Sequence, residues 1–366
     1  MLTKTNSACL AAAGLLLLAA FGWNEFGRAA SGNNDFLGFY SAGRMAGGSG
    51  LYDPARTAEV QRQAAGFSGE GNLTFPRLPY YAALLWPLAR LPYPVAYALW
   101  EALSLAAVIG FAFAWPDPRD RLPILVACAW SLPLLASMMN GQDCTFVLLA
   151  IALAIRFFDR RPALAGVAIA LGGIKFHLLL LVPLMAMAQR RFRFLAGLTA
   201  GGIVLLAASF AVAGPDWFSQ WAGLVTSARL RQAEGSMPNL HGLVDGVSWL
   251  EWALAVLVSL AVWMVARRGA GPGWAAALIG SLLISRHAYI QDCIVLLPPC
   301  LILLRHGAAA FRYAAFVLLT PLAYLPGVTS SPAAVILPAG LLLLLSGLAA
   351  EPALERLSPP KPRPLN

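Results

Sequence analysis

The chain has 366 residues, of which 59% are hydrophobic and only 12% are charged. This composition and a mean hydropathy of +0.69 leave too little polar surface for a soluble globule, so a polytopic integral membrane protein is predicted. The net charge of +9 does not indicate a nucleic-acid partner, because the Arg residues form short clusters between apolar segments.

Apolar segments of spanning or near-spanning length recur along the whole chain. Backbone polar groups inside a bilayer must pair internally, which favours helices. The predicted fold is therefore an all-α transmembrane bundle of about 10–12 membrane segments, with one domain over 1–350 and a Pro-rich cytoplasmic tail at 351–366. The segments are predicted at about 7–23, 93–115, 122–140, 144–158, 162–174, 177–188, 194–213, 249–266, 273–285, 292–304, 313–325 and 332–349.

The first apolar segment is best interpreted as an uncleaved helix, because no convincing small-x-small cleavage site follows it; a cleaved signal peptide over 1–30 is the competing interpretation. With the N-terminus in the cytoplasm, most of the 26 Lys and Arg residues fall inside. The two long loops, at about 24–92 and 214–248, fall outside. The unusual polar residues then share the outer side: Asp35, Arg44, Arg77, Gln142, Asp143, Lys175, His177, Arg229, Arg231, His241, Arg286, His287 and Asp292.

The first outer loop is predicted to be helical. Phe36, Phe39, Tyr40 and Gly43 recur at helical spacing and suggest a helix lying in the interface. Asp53 and Pro54 form an N-cap and N1 pair that opens a second helix to about residue 67. The short apolar stretch at about 78–92 is bounded by prolines, which suggests a re-entrant or interfacial segment.

Several kinds of chemistry are disfavoured because their motifs are missing. The sequence has no GxxxxGK[ST] and no GxGxxG after a strand, so no nucleotide is expected, and it has no HExxH, Cys/His cluster or nucleophile elbow. No cofactor and no metal are expected. The cysteines show no CxxC spacing, so disulfides and metal thiolates are also disfavoured: Cys9, Cys128, Cys144, Cys293 and Cys300.

Asp35 is a carboxylate at a membrane surface among aromatic residues. A charge is energetically costly there, so a functional role is expected. As a general base it would serve a reaction at a lipid-linked phosphate, with cations holding the phosphate. A solvated loop residue or helix cap is the alternative for Asp35. The candidate cations are Arg44, Lys175, Arg229, Arg231 and Arg286.

Lys175 and His177 lie between two apolar half-segments, after a Gly pair that can break the helix and aim polar groups into a cavity. A simple outer turn with a snorkelling Lys is the equal alternative. His287 and Asp292 share another outer turn, where the imidazole could bind a phosphate or relay a proton, or where the groups simply bond one another.

The remaining candidates are weaker. Asp143 follows Gln142 at a helix start, where an acid complements the helix dipole, so a structural role leads there. Arg229 and Arg231 have the competing interpretation of plain loop charges.

At these residues the chain resembles glycosyltransferase family 87, polytopic enzymes of the GT-C superfamily that take sugars from polyprenyl phosphate. The resemblance covers most of the chain in the expected order, although each block alone is degenerate. The blocks are DFLGFYSAGRMAGGSGLYDP at 35–54, PYYAALLWPLARLPYPVAYALWEALSL at 79–105, GQDCTFVLLAIALAI at 141–155, AGVAIALGGIKFHLLLLVP at 165–183 and SRHAYIQDCIVLLPP at 285–299.

The resemblance implies inverting transfer of a hexose, with mannose expected, to a glycolipid or glycan hydroxyl on the outer face of the plasma (inner) membrane. It implies Asp35 as general base, Lys175 as the lysine of the GGIK-type block and His287 as an assisting histidine. Donor-phosphate binding is then expected from Lys175, Arg229, Arg231 and Arg286, and substrate binding from Tyr40, Arg44, Gln142, His177 and His241.

Two departures affect the donor site: Asp143 stands where the family usually has a neutral residue, and Phe176 stands in place of a proline. Two other functions stay open. A transporter or flippase of a lipid-linked sugar would also need many helices and intramembrane charge, but the long first outer loop has no counterpart in a second half of the chain. A non-catalytic assembly subunit would not need Asp35.

Overall fold

A computed structural model describes residues 12–14, 16, 20, 32, 34–48, 50–66, 73–227, 236–245 and 247–351. This part of the chain folds into helices without a β-strand, which confirms the predicted all-α fold class. The predictions for the tail, for Arg229 and Arg231, and for most of the first apolar segment lie outside the described residues.

The N-terminal half of the described chain contains helices of very unequal length. Their bounds are α1 (Phe36–Met45), α2 (Pro54–Ala65), α3 (Pro79–Ala89), α4 (Tyr93–Ala114), α5 (Arg121–Ala129), α6 (Leu132–Met139), α7 (Cys144–Phe157), α8 (Pro162–Gly172), α9 (Val182–Ala188) and α10 (Phe192–Ala213). Two 3₁₀ segments interrupt them, at Pro118–Asp120 and Gly173–Leu179.

The C-terminal half continues in the same manner. Its helices are α11 (Trp217–Val225), α12 (Leu240–Val244), α13 (Ser248–Ala266), α14 (Ala270–Ile284), α15 (Leu297–His306), α16 (Ala309–Leu318), α17 (Leu325–Val328) and α18 (Ile336–Ala350). Its 3₁₀ segments are Ile290–Leu296, Pro321–Ala323 and Pro332–Val335.

Fewer helices have full spanning length than the 10–12 predicted segments. Within the described residues, five helical stretches are long and apolar enough to cross a membrane, and a sixth is added if α5 and α6, bent by 64°, form one span. The protein is thus a multi-pass membrane protein. The five stretches are Tyr93–Ala114, Pro162–Leu179, Phe192–Ala213, Ser248–Ala266 and Pro332–Ala350.

Other predicted segments form helices that are shorter than a straight span. α7 has 14 residues and α14 has 15, so each is about 21–23 Å long at 1.5 Å per residue, short of the roughly 30 Å hydrocarbon core. Hydropathy counts apolar residues but does not register where a helix breaks. Two of the breaks, at Gly173–Leu179 and Ile290–Leu296, carry the buried charges Lys175 and Asp292.

The described part of the long loop predicted at about 24–92 is helical, as predicted. Asp53 caps α2 by accepting hydrogen bonds from the backbone N–H groups of Ala55 and Arg56, and α2 ends at Ala65, near the predicted end. α1 is buried along nearly its whole length rather than on one face. Its Phe36 ring stacks on Trp100 of α4, with centroids 5.1 Å apart.

The predicted break in the GGIK block is present. α8 ends at Gly172, and a 3₁₀ segment follows in which Lys175 has φ −121° and ψ 61°, which is not helical. α8 packs along α7 and α10, while the 3₁₀ segment contacts α14. The break therefore turns the Lys175 side chain away from the helix axis, inside the protein.

Candidate active site

The backbone ties Asp35 to the turn before α7. Its N–H donates to the carbonyl of Asn140 at 3.0 Å. The next residue of that turn, Gly141, has φ +62°, and a Cβ there would lie 2.7 Å from Cβ of Phe36. Only a glycine fits this close approach without displacement of α1. The turn thereby carries Gln142 and Asp143 to the start of α1.

The Asp35 side chain is partly exposed, and Gln142 donates a hydrogen bond from Nε2 to its Oδ2. In the described part of the chain the carboxylate makes no other hydrogen bond, so Oδ1 remains available. Burial raises the pKa of Asp35 above its usual range, against the smaller lowering effects of the Gln142 hydrogen bond and of Lys175 and Arg77. This carboxylate can therefore take up a proton more readily than an ordinary aspartate.

Arg77 and Asp143 form a buried two-point ion pair next to Gln142. Nε of Arg77 lies 2.8 Å from Oδ2 of Asp143, and Nη2 lies 2.9 Å from Oδ1. The guanidinium also lies over the Phe39 ring, 5.4 Å from its centroid. Burial alone would raise the pKa of Asp143, but the Arg77 and Lys175 charges lower it below its usual range. Asp143 thus stays ionised.

Lys175 extends this pair into a chain of alternating charges. Its Nζ lies 2.6 Å from Oδ1 of Asp292 and 3.7 Å from Oδ1 of Asp143, and only 3% of the residue is exposed. The order is Arg77, Asp143, Lys175 and Asp292, with two cations against two carboxylates. The charge of Lys175 is therefore already matched inside the protein.

His287 lies in the turn before the 3₁₀ segment that carries Asp292. Its ring packs edge-on against Tyr289, with centroids 4.9 Å apart, and the Tyr289 N–H donates to Oδ2 of Asp292 at 2.9 Å. The His287 side chain reaches the surface. Partial burial lowers the pKa of His287. The Asp292 charge raises this pKa, while the Lys175 and Arg77 charges lower it further. The imidazole is neutral at pH 7 and can donate or accept a proton.

A second polar cluster joins α12, α13 and the turn after α14. Nδ1 of His241 lies 2.9 Å from Oε2 of Glu251, and Nε of Arg286 lies 3.5 Å from Oε1 of the same carboxylate. Glu251 is buried, whereas 64% of the Arg286 side chain is exposed. Arg286 is adjacent in sequence to His287, so this cluster borders the turn that leads to Asp292.

One comparison with known proteins identifies the family. The model of glycosyltransferase family 87 matches residues 78–296, more than half of the chain. The chain belongs to glycosyltransferase family 87. It is a glycosyltransferase, and the transporter alternative is not favoured. Searches of curated proteins and of solved structures find no match.

The family 87 match includes Asp143, Lys175 and Asp292 of the ion-pair chain and both histidine turns, while Asp35 and Arg77 lie before it. The structure nevertheless brings Asp35 and Gln142 together with the Lys175 break. Arg229 and Arg231, expected at the donor phosphate, lie outside the described residues.

Three other predicted residues of this family 87 chain lie on α1 and after the Lys175 break. Tyr40 is buried and donates its hydroxyl to the Leu91 carbonyl at 2.8 Å, while Arg44 is exposed and lies over the Tyr40 ring, 5.5 Å from its centroid. Arg44 is nine positions from Asp35, at the other end of α1. His177 follows the break, and its Nε2 is buried without a hydrogen-bond partner among the described residues.

Sequence reasoning missed the pairing of the buried charges. It placed Arg77, Asp143 and Asp292 on the outer face but assigned Asp143 to the helix dipole, whereas both carboxylate oxygens of Asp143 bind Arg77. The overlooked signal was the energetic cost of an acid between apolar segments, because such a charge needs a cationic partner. Glu251, in the first turn of an apolar helix, carries the same signal.

Proposed function

We propose that this family 87 enzyme transfers a hexose, with mannose expected, from a polyprenyl-phosphate donor to an acceptor hydroxyl, with inversion and with Asp35 as general base. One observation carries the proposal: Gln142 holds one oxygen of the Asp35 carboxylate, and the other oxygen makes no hydrogen bond to any described residue, beside a buried chain of charges. A carboxylate arranged in this way can accept a proton from a positioned hydroxyl.

The proposed reaction forms one bond and breaks one. The acceptor oxygen attacks the anomeric carbon from the side opposite the phosphate while its proton passes to Oδ1 of Asp35. The carbon–oxygen bond to the phosphate breaks, and its electron pair leaves with polyprenyl phosphate. Attack from the opposite side inverts the anomeric configuration, so an α-linked product is expected from a β-linked donor.

The leaving phosphate needs cations, and the proposed ones are Arg286, Arg229 and Arg231, while the neutral His287 imidazole is proposed to donate a hydrogen bond to it. Arg286 and His287 are exposed and border the ion-pair chain. Lys175 is enclosed by Asp143 and Asp292, so we assign its effect to the positive potential and the fixed geometry that it supplies. The proposed sugar and acceptor contacts come from Tyr40, Arg44, Gln142, His177 and His241.

A prenyl-linked donor suits a protein with these membrane spans, because the bilayer delivers such a substrate sideways and no nucleotide site is needed. The proposed acceptor is a glycolipid or glycan, and the proposed active face is the periplasmic or extracellular side of the plasma membrane. Two features support this side: the long loop that holds Asp35 is outside in the charge-based topology, and most Lys and Arg residues are inside.

Sugar transfer by the purified protein in lipid tests the proposal. Radiolabelled polyprenyl-phosphate mannose and a cell-envelope lipid extract are supplied to wild type and to Asp35→Asn. Product from wild type alone supports both the donor class and the base. Equal product from the two proteins removes Asp35 as the base. Movement of donor across the bilayer without any product contradicts the transferase reaction and supports a flippase.

A further inference from the structure

A cavity of about 560 Å³ lies at the end of the bundle opposite Asp35. α4 shows the separation: Tyr93, at its start, donates its hydroxyl to Asn34, the neighbour of Asp35, while Trp115, just past its end, lines the cavity. The 22 residues of α4 span about 33 Å, the thickness of a hydrocarbon core. The cavity therefore lies near the opposite membrane surface.

The carboxylates that line this opposite-end cavity all have cationic partners. Arg305 pairs with both Asp117 and Asp120, and Asp159 pairs with Arg191. They leave little negative charge to attract a cation into the cavity. Binding of an anion, by contrast, depends on the cations of the cavity that have no carboxylate partner.

Three arginines of the cavity have no carboxylate partner in the described part of the chain: Arg156, Arg160 and Arg268. Arg268 donates from both Nη atoms to the carbonyls of Leu348 and Ala349 at the end of α18, which fixes its side chain without supplying a full countercharge. The cavity thus carries an excess of positive charge, and one of its arginines, Arg268, is held in place.

Neutral N–H groups at the cavity also favour an anionic ligand. α14 begins in the cavity at Ala270, and no side chain in the described part of the chain caps it. Pro272 has no N–H and the Gly273 N–H donates to the Gly269 carbonyl, so the N–H groups of Ala270 and Gly271 are the ones open to an anion. Trp274 lines the cavity as well, and its indole Nε1 is buried without a hydrogen-bond partner among the described residues. A buried N–H of this kind favours a site that holds an acceptor.

We propose that the opposite-end cavity binds the phosphate of an anionic phospholipid headgroup. Arginines and a helix N-terminus together are the groups that recognise phosphate oxygens. Basic pockets between membrane helices hold anionic headgroups in this way. The apolar side chains of Trp115, Leu301 and Ile302 supply the wall that the lipid's glycerol and first methylene groups require.

Native mass spectrometry of the purified, delipidated full chain tests this site. The probes are phosphatidylglycerol, phosphatidylcholine with the same acyl chains, and soluble glycerol phosphate. The variants are Arg160→Gln and Arg268→Gln, with Arg193→Gln as the control, because Arg193 is an exposed cation that does not line the cavity. Wild type and Arg193→Gln should bind phosphatidylglycerol about tenfold more tightly than either cavity variant, which corresponds to one charged hydrogen bond of about 1.4 kcal/mol.

Gly271→Asp keeps the test decisive if Arg268→Gln fails to fold. A Cβ at Gly271 would meet only a methyl of Ile302 at 3.7 Å, and an acid suits the first turn of a helix, so the fold should persist while the carboxylate excludes phosphate. Equal binding by every variant, or equal binding of phosphatidylcholine, overturns the site. Binding of glycerol phosphate without phosphatidylglycerol overturns the lipid assignment in favour of a soluble phosphate ester.

Discussion

Gln142 links Asp35 to Arg77. Its Nε2 donates to Oδ2 of Asp35, and its Oε1 faces Nη2 of Arg77 at 3.5 Å. Because a guanidinium can only donate hydrogen bonds, the amide oxygen must point to Arg77 and the amide nitrogen to Asp35. The ion pair of Arg77 and Asp143 thus sets the orientation of the proposed base through a single amide.

Removing this amide should alter the pH dependence of transfer. Burial raises the pKa of Asp35 and the Gln142 hydrogen bond lowers it, so Gln142→Leu should raise that pKa further. A general base must be ionised, so the acid limb of the kcat/KM profile should move to higher pH, with a loss of about tenfold at pH 7 from the missing charged hydrogen bond. An unchanged acid limb would contradict a positioning role for Gln142.

Asp35→Asn should lower activity without lowering stability. Transfer should fall by about 10²–10⁴-fold with donor binding retained. Because the pKa of Asp35 is raised, the folded protein prefers the protonated form, and stability present at low pH is lost as pH rises through that pKa. The neutral Asn should therefore melt at or above the wild-type temperature at pH 7.

Asp53→Asn is the matched control, because Asp53 is an exposed acid of the same loop that only caps α2, and Asn caps a helix as well as Asp does. It should keep both activity and melting temperature. A similar loss of transfer in Asp53→Asn would show that the loop tolerates no such change, and the result for Asp35 would then say nothing about a base.

Arg77 should be essential to the fold. Arg77→Met leaves Asp143 buried without its main partner, and the free energy of unfolding should fall by about 3–5 kcal/mol in a denaturant titration in mild detergent. Arg77→Met combined with Asp143→Leu should regain most of that loss. Arg62→Met, which removes an exposed ion pair with Glu59, should leave stability near wild type. Equal losses in the single and double variants would show that the pair is not coupled.

The sequence predicts the helices of this protein better than it predicts its buried contacts. The α2 cap and the break before Lys175 follow from local chemistry, Asp-Pro and Gly-Gly, and both are present. The pairing of Arg77 with Asp143 joins positions 66 residues apart, and nothing in the local sequence of either residue encodes it. The role of Gln142 depends on that pairing, so it too needed the structure.

Two roles of Lys175 can be distinguished by experiment: binding of the donor phosphate and structural pairing with buried carboxylates. Lys175→Met alone should destabilise the protein, because Asp292 loses its cation. Lys175→Met with Asp292→Asn should restore folding, and the KM of this double variant for the proposed prenyl-phosphate donor decides the role of Lys175. A KM near wild type supports the enclosed role proposed above; a KM raised by tenfold or more contradicts it and makes Lys175 a phosphate ligand.

Arg286 should act on donor binding rather than on the fold. Its side chain is largely exposed, and among the described residues its one ion-pair partner is Glu251, at 3.5 Å. Arg286→Ala should therefore keep the melting temperature while raising the donor KM by about tenfold, as expected for loss of one charged contact to phosphate.

If Arg286 binds the donor phosphate, its ion pair with Glu251 competes with that binding. Glu251→Gln keeps the hydrogen bond to His241 possible but removes the charge that holds Arg286, so it should leave donor KM unchanged or lower it. Arg62→Ala controls for a general loss of positive charge, because Arg62 is an exposed cation of the loop that holds Asp35. If Arg62→Ala and Arg286→Ala raise the donor KM equally, the effect is diffuse electrostatic attraction, and Arg286 is not a phosphate ligand.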